Sequence, residues 1–317
     1  MAGEAGTLLN GDNMHINDVL TLFLRAGSSA LLSPKTLDWY EYELRQFFKW
    51  LEQQPYRNGN WLQPYVIEEY LDAGRQRGLA PATVAGKHRA LRGFFAWLVK
   101  RGHIKESPMN EVLIPHVPKK EPRRTELHEY LRLIESIPQK SWIDLRDRLI
   151  INILFLCGLR LDECASLELE DFRLSESVLV VRNAKGGDHR PVPLLPAVAK
   201  AFVAYVYARP APHAKGEHLL FLGSDGGGNA EQTLLPGGIR QMLRRRCKRA
   251  GVRNLNPHAF RHGLAVYLLN QGGDMSLVQK ILGHSRISTT ADHYAAWLTE
   301  GVIKQYADKM KNVEDSE

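Results

Sequence analysis

The chain opens with apolar positions recurring at helical spacing. Ile16, Val19, Leu20, Phe23 and Leu24 mark one short helix, and Leu37, Tyr40, Leu44, Phe47, Phe48 and Leu51 define the inner face of a second. Ser33-Pro34 supplies the second helix with a capping oxygen followed by proline at the first helical position. Val66, Ile67, Tyr70 and Leu71 predict a third helix that stops near Gly78, and Pro81 opens a fourth that carries Val84, His88, Leu91, Phe94, Phe95 and Leu98 before Gly102. Four short amphipathic helices can share one core, so residues 14–107 are expected to form a compact all-α module. The stretch 108–124 holds Pro108, Pro115, Pro118 and Pro122, which forbid a continuous helix, and reads as an extended linker. From Thr125, taken as an N-cap, to the end (125–317), helices are expected at about 126–137 and 143–158. A β-rich run, Ser177–Arg182, then pairs through Gly186-Gly187 with a second strand, His189–Leu194. Helices return after Pro196 and fill the region beyond Leu234, while Gly223–Ala230 reads as a surface loop. The expected fold is mainly α with a small antiparallel sheet, in two domains.

Composition narrows the class. With 317 residues, 44% hydrophobic and 24% charged, the chain fits a folded two-domain protein. Its longest apolar stretch, Leu149–Gly158, is broken by Asn152 and falls short of a membrane span. The N-terminus carries Glu4 and Asp12 and has no basic start followed by an apolar stretch, so a cytoplasmic location is expected. Cys157, Cys164 and Cys247 lack paired spacing and read as reduced thiols.

The formal net charge is +7, and its clustering says more than its size. Arg240, Arg244, Arg245, Arg246, Lys248, Arg249 and Arg253 fall within fourteen residues that contain no acid. Lys119, Lys120, Arg123 and Arg124 form a second cluster at the end of the linker. Such clusters are the footprint of a polyanionic partner. A solvated helix face is the plainer account of either one alone.

Nucleotide-binding, zinc-hydrolase and serine-hydrolase signatures are absent. The glycine-rich Gly223–Asn229 lacks the ending of a phosphate loop, and neither HExxH nor GxSxG occurs. What remains is a set of cations, imidazoles and a phenol. Arg160 follows an apolar helix, Lys185 lies in the hairpin turn, His258 and Arg261 are three apart after Pro257, and His284 and Tyr294 come later. Each has a structural explanation when taken singly. Together they are what metal-free phosphodiester transfer requires. Arginines stabilise charge on the phosphate, a lysine or histidine protonates the leaving oxygen, and a tyrosine is the nucleophile.

At this point the sequence resembles the tyrosine recombinase (phage integrase, Xer-like) family. Gly158-Leu-Arg-Leu-Asp-Glu163 resembles the family's first arginine box, and Ala184–Leu194 its β-hairpin lysine element. His258–Ala265 resembles the second box, and Val278–Thr290 the third, with the tyrosine beyond. The helical N-terminal module resembles the family's core-binding, SAM-like domain. Two departures stand out. Asp162 takes a place usually held by Ser or Thr, and Tyr294 follows His284 by ten residues where many members use nine, leaving His293 at the nine-residue position.

The resemblance implies a site-specific DNA recombinase that needs no cofactor or metal. Arg160, Arg261 and His284 would contact the scissile phosphate, Lys185 would protonate the leaving 5′ hydroxyl, and His258 would assist proton transfer. Tyr294 would form a 3′-phosphotyrosyl link. The partners implied are double-stranded DNA core sites, clamped between the two domains with the help of Lys119, Lys120, Arg123, Arg124, Arg240, Arg244 and Arg245. Also implied is a homotetramer on paired sites, with room for an accessory protein or partner recombinase. The biological role would be mobile-element integration and excision, or chromosome and plasmid resolution. A type IB topoisomerase-like enzyme and a non-catalytic DNA-binding protein are the alternatives.

Overall fold

The computed structural model describes residues 8–9, 12–55, 60–118, 123–182, 189–211, 218–225, 229–283 and 310. The chain divides into two compact units, Met1–Lys120 and Glu121–Glu317.

The first unit begins with a short antiparallel pair, β1 (Leu8–Leu9) and β2 (Asp12–His15). Four helices follow: α1 (Ile16–Ser29), α2 (Pro34–Leu51), α3 (Pro64–Gln76) and α4 (Pro81–Lys100). The last three each start on a proline, whose missing N–H has no helical partner to lose. Ser33 caps α2 as expected, its hydroxyl accepting from the Thr36 backbone N–H at 3.2 Å. The apolar stripes converge on one aromatic-rich core in which Phe47 meets Tyr70 edge-on, with ring centroids 5.1 Å apart, and Phe48 packs against Phe94 and the buried Trp61. One cation is buried here too. Lys87 Nζ donates to Glu43 and to the Tyr70 hydroxyl, both at 3.0 Å. Pro108, Met109 and Val112 are buried in the same unit, so the start of the proline-rich stretch packs as part of it.

The second unit is built around α6 (Trp142–Leu156), whose residues from Leu149 to Leu156 are all buried. A helix buried on every side is apolar on every side. Asn152, the one polar residue between Leu149 and Leu156, accepts a hydrogen bond from the Tyr130 hydroxyl at 3.1 Å. Around α6 lie α5 (Leu127–Glu135), the short α7 (Leu161–Ala165), α8 (Pro196–Ala208) and α10 (Pro257–Asn270). The remaining helices are α9 (Pro236–Ala250) and α11 (Met275–Leu282). A three-stranded antiparallel sheet has the order β3 (Phe172–Arg173), β4 (Val178–Arg182), β5 (His189–Pro193), with Val178 opposite Pro193 and Arg182 opposite His189 in the β4–β5 pair.

Three local expectations change. Thr125 is not the N-cap of α5; Glu126 is, and Thr125 is buried with its N–H donating to the Ala259 carbonyl at 2.8 Å. The segment read as a loop over Gly223–Ala230 joins and partly forms a second antiparallel pair, β6 (Leu222–Ser224) with β7 (Ala230–Thr233). The basic run of α9 is not uniformly exposed. Ile239, Met242, Leu243, Arg246, Cys247 and Ala250 form its buried stripe, so Arg246 points inward. It donates to Asp144 and Asp147 at 2.8 Å each, and Arg146 holds the other oxygen of Asp147 at 2.7 Å. Arg253 likewise pairs with Glu129, whose carboxyl it holds below the usual carboxylate range, and donates to the Arg124 carbonyl.

Arg246→Ala would leave two buried carboxylates short of a counter-charge, an effect of about 3 kcal/mol. Its exposed neighbour in Arg245→Ala should change stability by less than about 0.5 kcal/mol. Urea unfolding of the two variants checks this, and equal effects would contradict the buried network.

Candidate active site

The site grows from the end of α6. After Cys157 the chain turns at Gly158, where φ is +63° and an added Cβ would lie 2.6 Å from Leu282 and 2.8 Å from Leu264. Only glycine combines that conformation with that approach. Leu159 returns to the core and Arg160 becomes the N-cap of α7. Glu163, at the third position of α7, reaches back so that Arg160 N–H donates to its Oε2 at 2.8 Å and Arg160 Nη1 donates to Oε1 at 2.8 Å. The other terminal nitrogen of Arg160 donates to the Gly283 carbonyl at 3.2 Å.

Two more guanidiniums converge on the same place. Arg261 is buried, and its terminal nitrogens donate to the carbonyls of Gly158 and Leu282 at 2.6 and 2.5 Å. Arg190, from β5, takes Glu163 with a two-point fork at 2.9 Å on each oxygen, and its Nε donates to the Ile281 carbonyl at 3.3 Å. Residues 158–163, 190, 261 and 281–283 are thus one cluster, assembled from the end of α6, the start of α7, β5, α10 and the end of α11. His258 lies one turn before Arg261 and is exposed.

Electrostatics centre on Glu163. Its side chain is 4% exposed, and burial alone would push its carboxyl up. The Arg190 guanidinium, followed by the backbone and side chain of Arg160, more than reverses this and holds it at about 2. Burial pushes the Cys157 thiol up to about 12 and raises Cys164 as well, so both are neutral thiols with no nucleophilic character at neutral pH. Among the described residues no group of three or more His, Cys, Asp or Glu side chains could hold a metal ion, and no helix is long and apolar enough to cross a membrane.

Of the candidate catalytic residues, Arg160 and Arg261 are brought together and His258 shares the helix of Arg261. Lys185, His284 and Tyr294 lie outside the described residues, although Gly283, next to His284, is part of the cluster. Of the candidate DNA contacts, Arg240, Arg244 and Arg245 are exposed on α9, as are Arg123 and Arg124, the latter bridged to Glu126 at 2.7 Å. Lys119 and Lys120 lie outside the described residues. Arg240 and Arg244 line a cleft of about 370 Å³ together with Gln241, Asn254, Asn256 and Pro257, at the N-terminus of the helix that carries His258 and Arg261. Asp162, the departure from the family pattern, is exposed; the buried anchor of Arg160 is Glu163. Arg190 was not singled out from sequence. Its signal is the alternation of β5, which puts Arg190 on the same inward face as buried Val192.

The catalytic model of the phage integrase family matches residues 123–300, more than half of the chain. The chain belongs to the phage integrase family. The family's N-terminal SAM-like domain matches residues 27–102. Among curated relatives, tyrosine recombinase XerC of Pseudomonas aeruginosa (strain LESB58) is 32% identical over 192 residues, 61% of each chain. Tyrosine recombinase XerA of Pyrococcus furiosus is 32% identical over 176 residues, 56% of this chain and 58% of that one. The matches therefore span about three-fifths of these relatives' length. Among solved structures, the XerH site-specific recombinase bound to palindromic difH substrate has a TM-score of 0.67 at 22% identity, covering 95% of this chain and 83% of that one. The Tn1549 transposon integrase in complex with transposon right end DNA also reaches 0.67, at 19% identity and 93% and 99% coverage. Both have the integrase fold described above.

A carboxyl held at about 2 against an ordinary value of 4.5 contributes stability that is fully present above pH 4.5 and is lost as the pH falls toward 2, about 3 kcal/mol in all. Glu163→Gln has no such group. The stability difference between wild type and Glu163→Gln should therefore shrink by about that amount across this window, as measured by denaturant unfolding at stepped pH. A constant difference would mean that Glu163 titrates normally in the folded chain.

Proposed function

We propose that the chain is a site-specific DNA recombinase that breaks and rejoins strands through a 3′-phosphotyrosyl intermediate. The observation that carries this reading is the convergence of Arg160 and Arg261, 101 residues apart in sequence, on the last carbonyls of α11 immediately before His284. Two guanidiniums on neighbouring backbone carbonyls make a rigid positive site for a phosphodiester. Arg160, Arg261 and His284 bind the scissile phosphate. The Tyr294 oxygen gives up its proton to His258 as it attacks phosphorus, the bond to the 5′ oxygen breaks, and Lys185 gives that oxygen its proton. A partner strand's 5′ hydroxyl reverses the step, so the bond energy is conserved in the phosphotyrosine and no external energy source enters.

In this reading residues 14–107 are the core-binding domain, 108–124 the basic linker and 125–317 the catalytic domain. Lys119, Lys120, Arg123, Arg124, Arg240, Arg244 and Arg245 contact DNA phosphates. The cleft beside α10 supports this for Arg240 and Arg244, because it puts them at the start of the helix that carries His258 and Arg261. The DNA bound in the XerH and Tn1549 integrase structures supports a duplex substrate, and a homotetramer on two paired sites follows from the need to exchange strands between duplexes.

The test is covalent capture on a pool of nicked duplexes with a randomised core. Wild type should form a denaturant-resistant adduct whose peptide maps to Tyr294. Tyr294→Phe should bind DNA and form none, and His293→Ala should still form one. Burial pushes the Tyr267 phenol up and makes it a poor nucleophile. An adduct of Tyr294→Phe mapped to Tyr267 or Tyr306 would overturn the assignment.

Binding makes a second prediction. Affinity for the recovered duplexes should fall steeply with salt, and Arg240→Ala or Arg244→Ala should each reduce the slope of log K against log salt by about one. An unchanged slope would remove those residues from the DNA face.

A further inference from the structure

Arg190 has no place in the roles above, yet it holds the centre of the cluster. Its side chain is 13% exposed and takes both oxygens of Glu163 at 2.9 Å, which is the two-point geometry that a carboxylate and a guanidinium favour. Arg160 is left with a side-on share. One nitrogen donates to Oε1 at 2.8 Å, the other to the Gly283 carbonyl, and 38% of its side chain faces solvent. The room for this arrangement comes from Gly283, where φ is +64° and a Cβ would sit 2.6–2.9 Å from Arg190 Cδ, Nε and Cζ.

The charge balance is as informative as the geometry. A lone guanidinium beside a buried carboxylate closes onto it and presents no net charge. Two guanidiniums on one carboxylate leave one positive charge, carried by whichever is more exposed. We infer that Arg190 is a positioning residue that occupies the two-point face of Glu163 and so keeps the Arg160 guanidinium turned outward, its charge available to a phosphate. The inference rests on the phosphodiester-transfer reading, and it concerns how Arg160 is presented rather than what Arg160 does.

Phenylglyoxal labelling of Arg160 in the full chain, read by peptide mass spectrometry, tests this without any knowledge of the DNA site. In Arg190→Gln, Glu163 has only Arg160 left to hold, so labelling of Arg160 should slow by about 10-fold. Adduct formation on the randomised pool should fall by about 100-fold. The double variant Glu163→Gln/Arg190→Gln has no carboxylate to capture Arg160 and should label at close to the wild-type rate. A purely structural role predicts the opposite sign, because loosening the cluster exposes Arg160 and speeds its labelling. Faster or unchanged labelling in Arg190→Gln therefore overturns the inference. If far-UV circular dichroism shows that variant unfolded, Arg190→Lys decides. A single ammonium cannot make the two parallel bonds of the guanidinium fork, so labelling should slow by about 3-fold and recover when Glu163→Gln is added. Unchanged or faster labelling in Arg190→Lys overturns the inference. A wild-type chain that forms no adduct on the pool would count against the recombinase reading, while the labelling comparison would still judge Arg190.

Discussion

The arginine cluster of the second unit is built on one buried carboxylate. Glu163 lies where the start of α7, the strand β5 and the end of α11 meet, and a charge in that setting persists only if it is paired and fully hydrogen-bonded. Meeting that condition takes Arg160 from its own helix turn and Arg190 from the sheet. Each of these then reaches past Glu163 to a carbonyl at the end of α11, Gly283 for Arg160 and Ile281 for Arg190. Three elements far apart in sequence are thus held in register by directional contacts. Apolar packing alone, being non-directional, would bring them together without fixing their orientation.

Packing sets the stage on which those contacts form. α6 is enclosed by α5, α7, α8 and α10, so its axis and its end are fixed from several sides. The turn after it therefore leaves in one direction. Gly158 makes that turn in a left-handed conformation against Leu264 and Leu282, and its carbonyl is presented to Arg261. The first two arginine boxes are coupled through this carbonyl, and the second and third through that of Leu282. The buried guanidinium of Arg261 thus acts as a brace as well as a source of positive charge.

How much of this was legible in the sequence depended on the range of the interaction. The four N-terminal helices, the Ser33 cap and the β4–β5 pairing follow from local periodicity and capping residues, and the structure has them all; the Gly186-Gly187 turn lies outside the described residues. α7, at five residues, is too short to show a period, and β3, at two, has no alternation to read. The β6–β7 pair was hidden because its glycine-rich connection reads as a loop, while the strands themselves are three and four residues long. In the site, the sequence motifs singled out Arg160, Arg261 and His258 as candidates but not Arg190, which shares Glu163 with Arg160. Arg190 meets Glu163 across 27 residues of chain, and nothing local to His189-Arg190-Pro191 announces that contact except the inward phase of the strand.

The α9 run shows why a charge cluster must be resolved residue by residue. Its buried positions recur at 239, 242, 243, 246, 247 and 250, a single helical stripe, and the cation at 246 falls on it. Desolvating a guanidinium costs several kcal/mol, so Arg246 can lie there only because Asp144 and Asp147 are built into α6 to meet it. Arg240, Arg244, Arg245, Lys248 and Arg249 lie off the stripe and face water, on a helix that carries no acid. The same period that sends one arginine into the core therefore gathers the others on the outer surface of α9. At its N-terminal end, Arg240 and Arg244 border the cleft where α10 begins, and α10 is the helix that holds His258 and Arg261. The inward contact fixes α9 to α6, α6 in turn fixes the turn that bears Arg160, and the outward cations are thereby held in a set relation to the arginine cluster rather than on a surface free to drift.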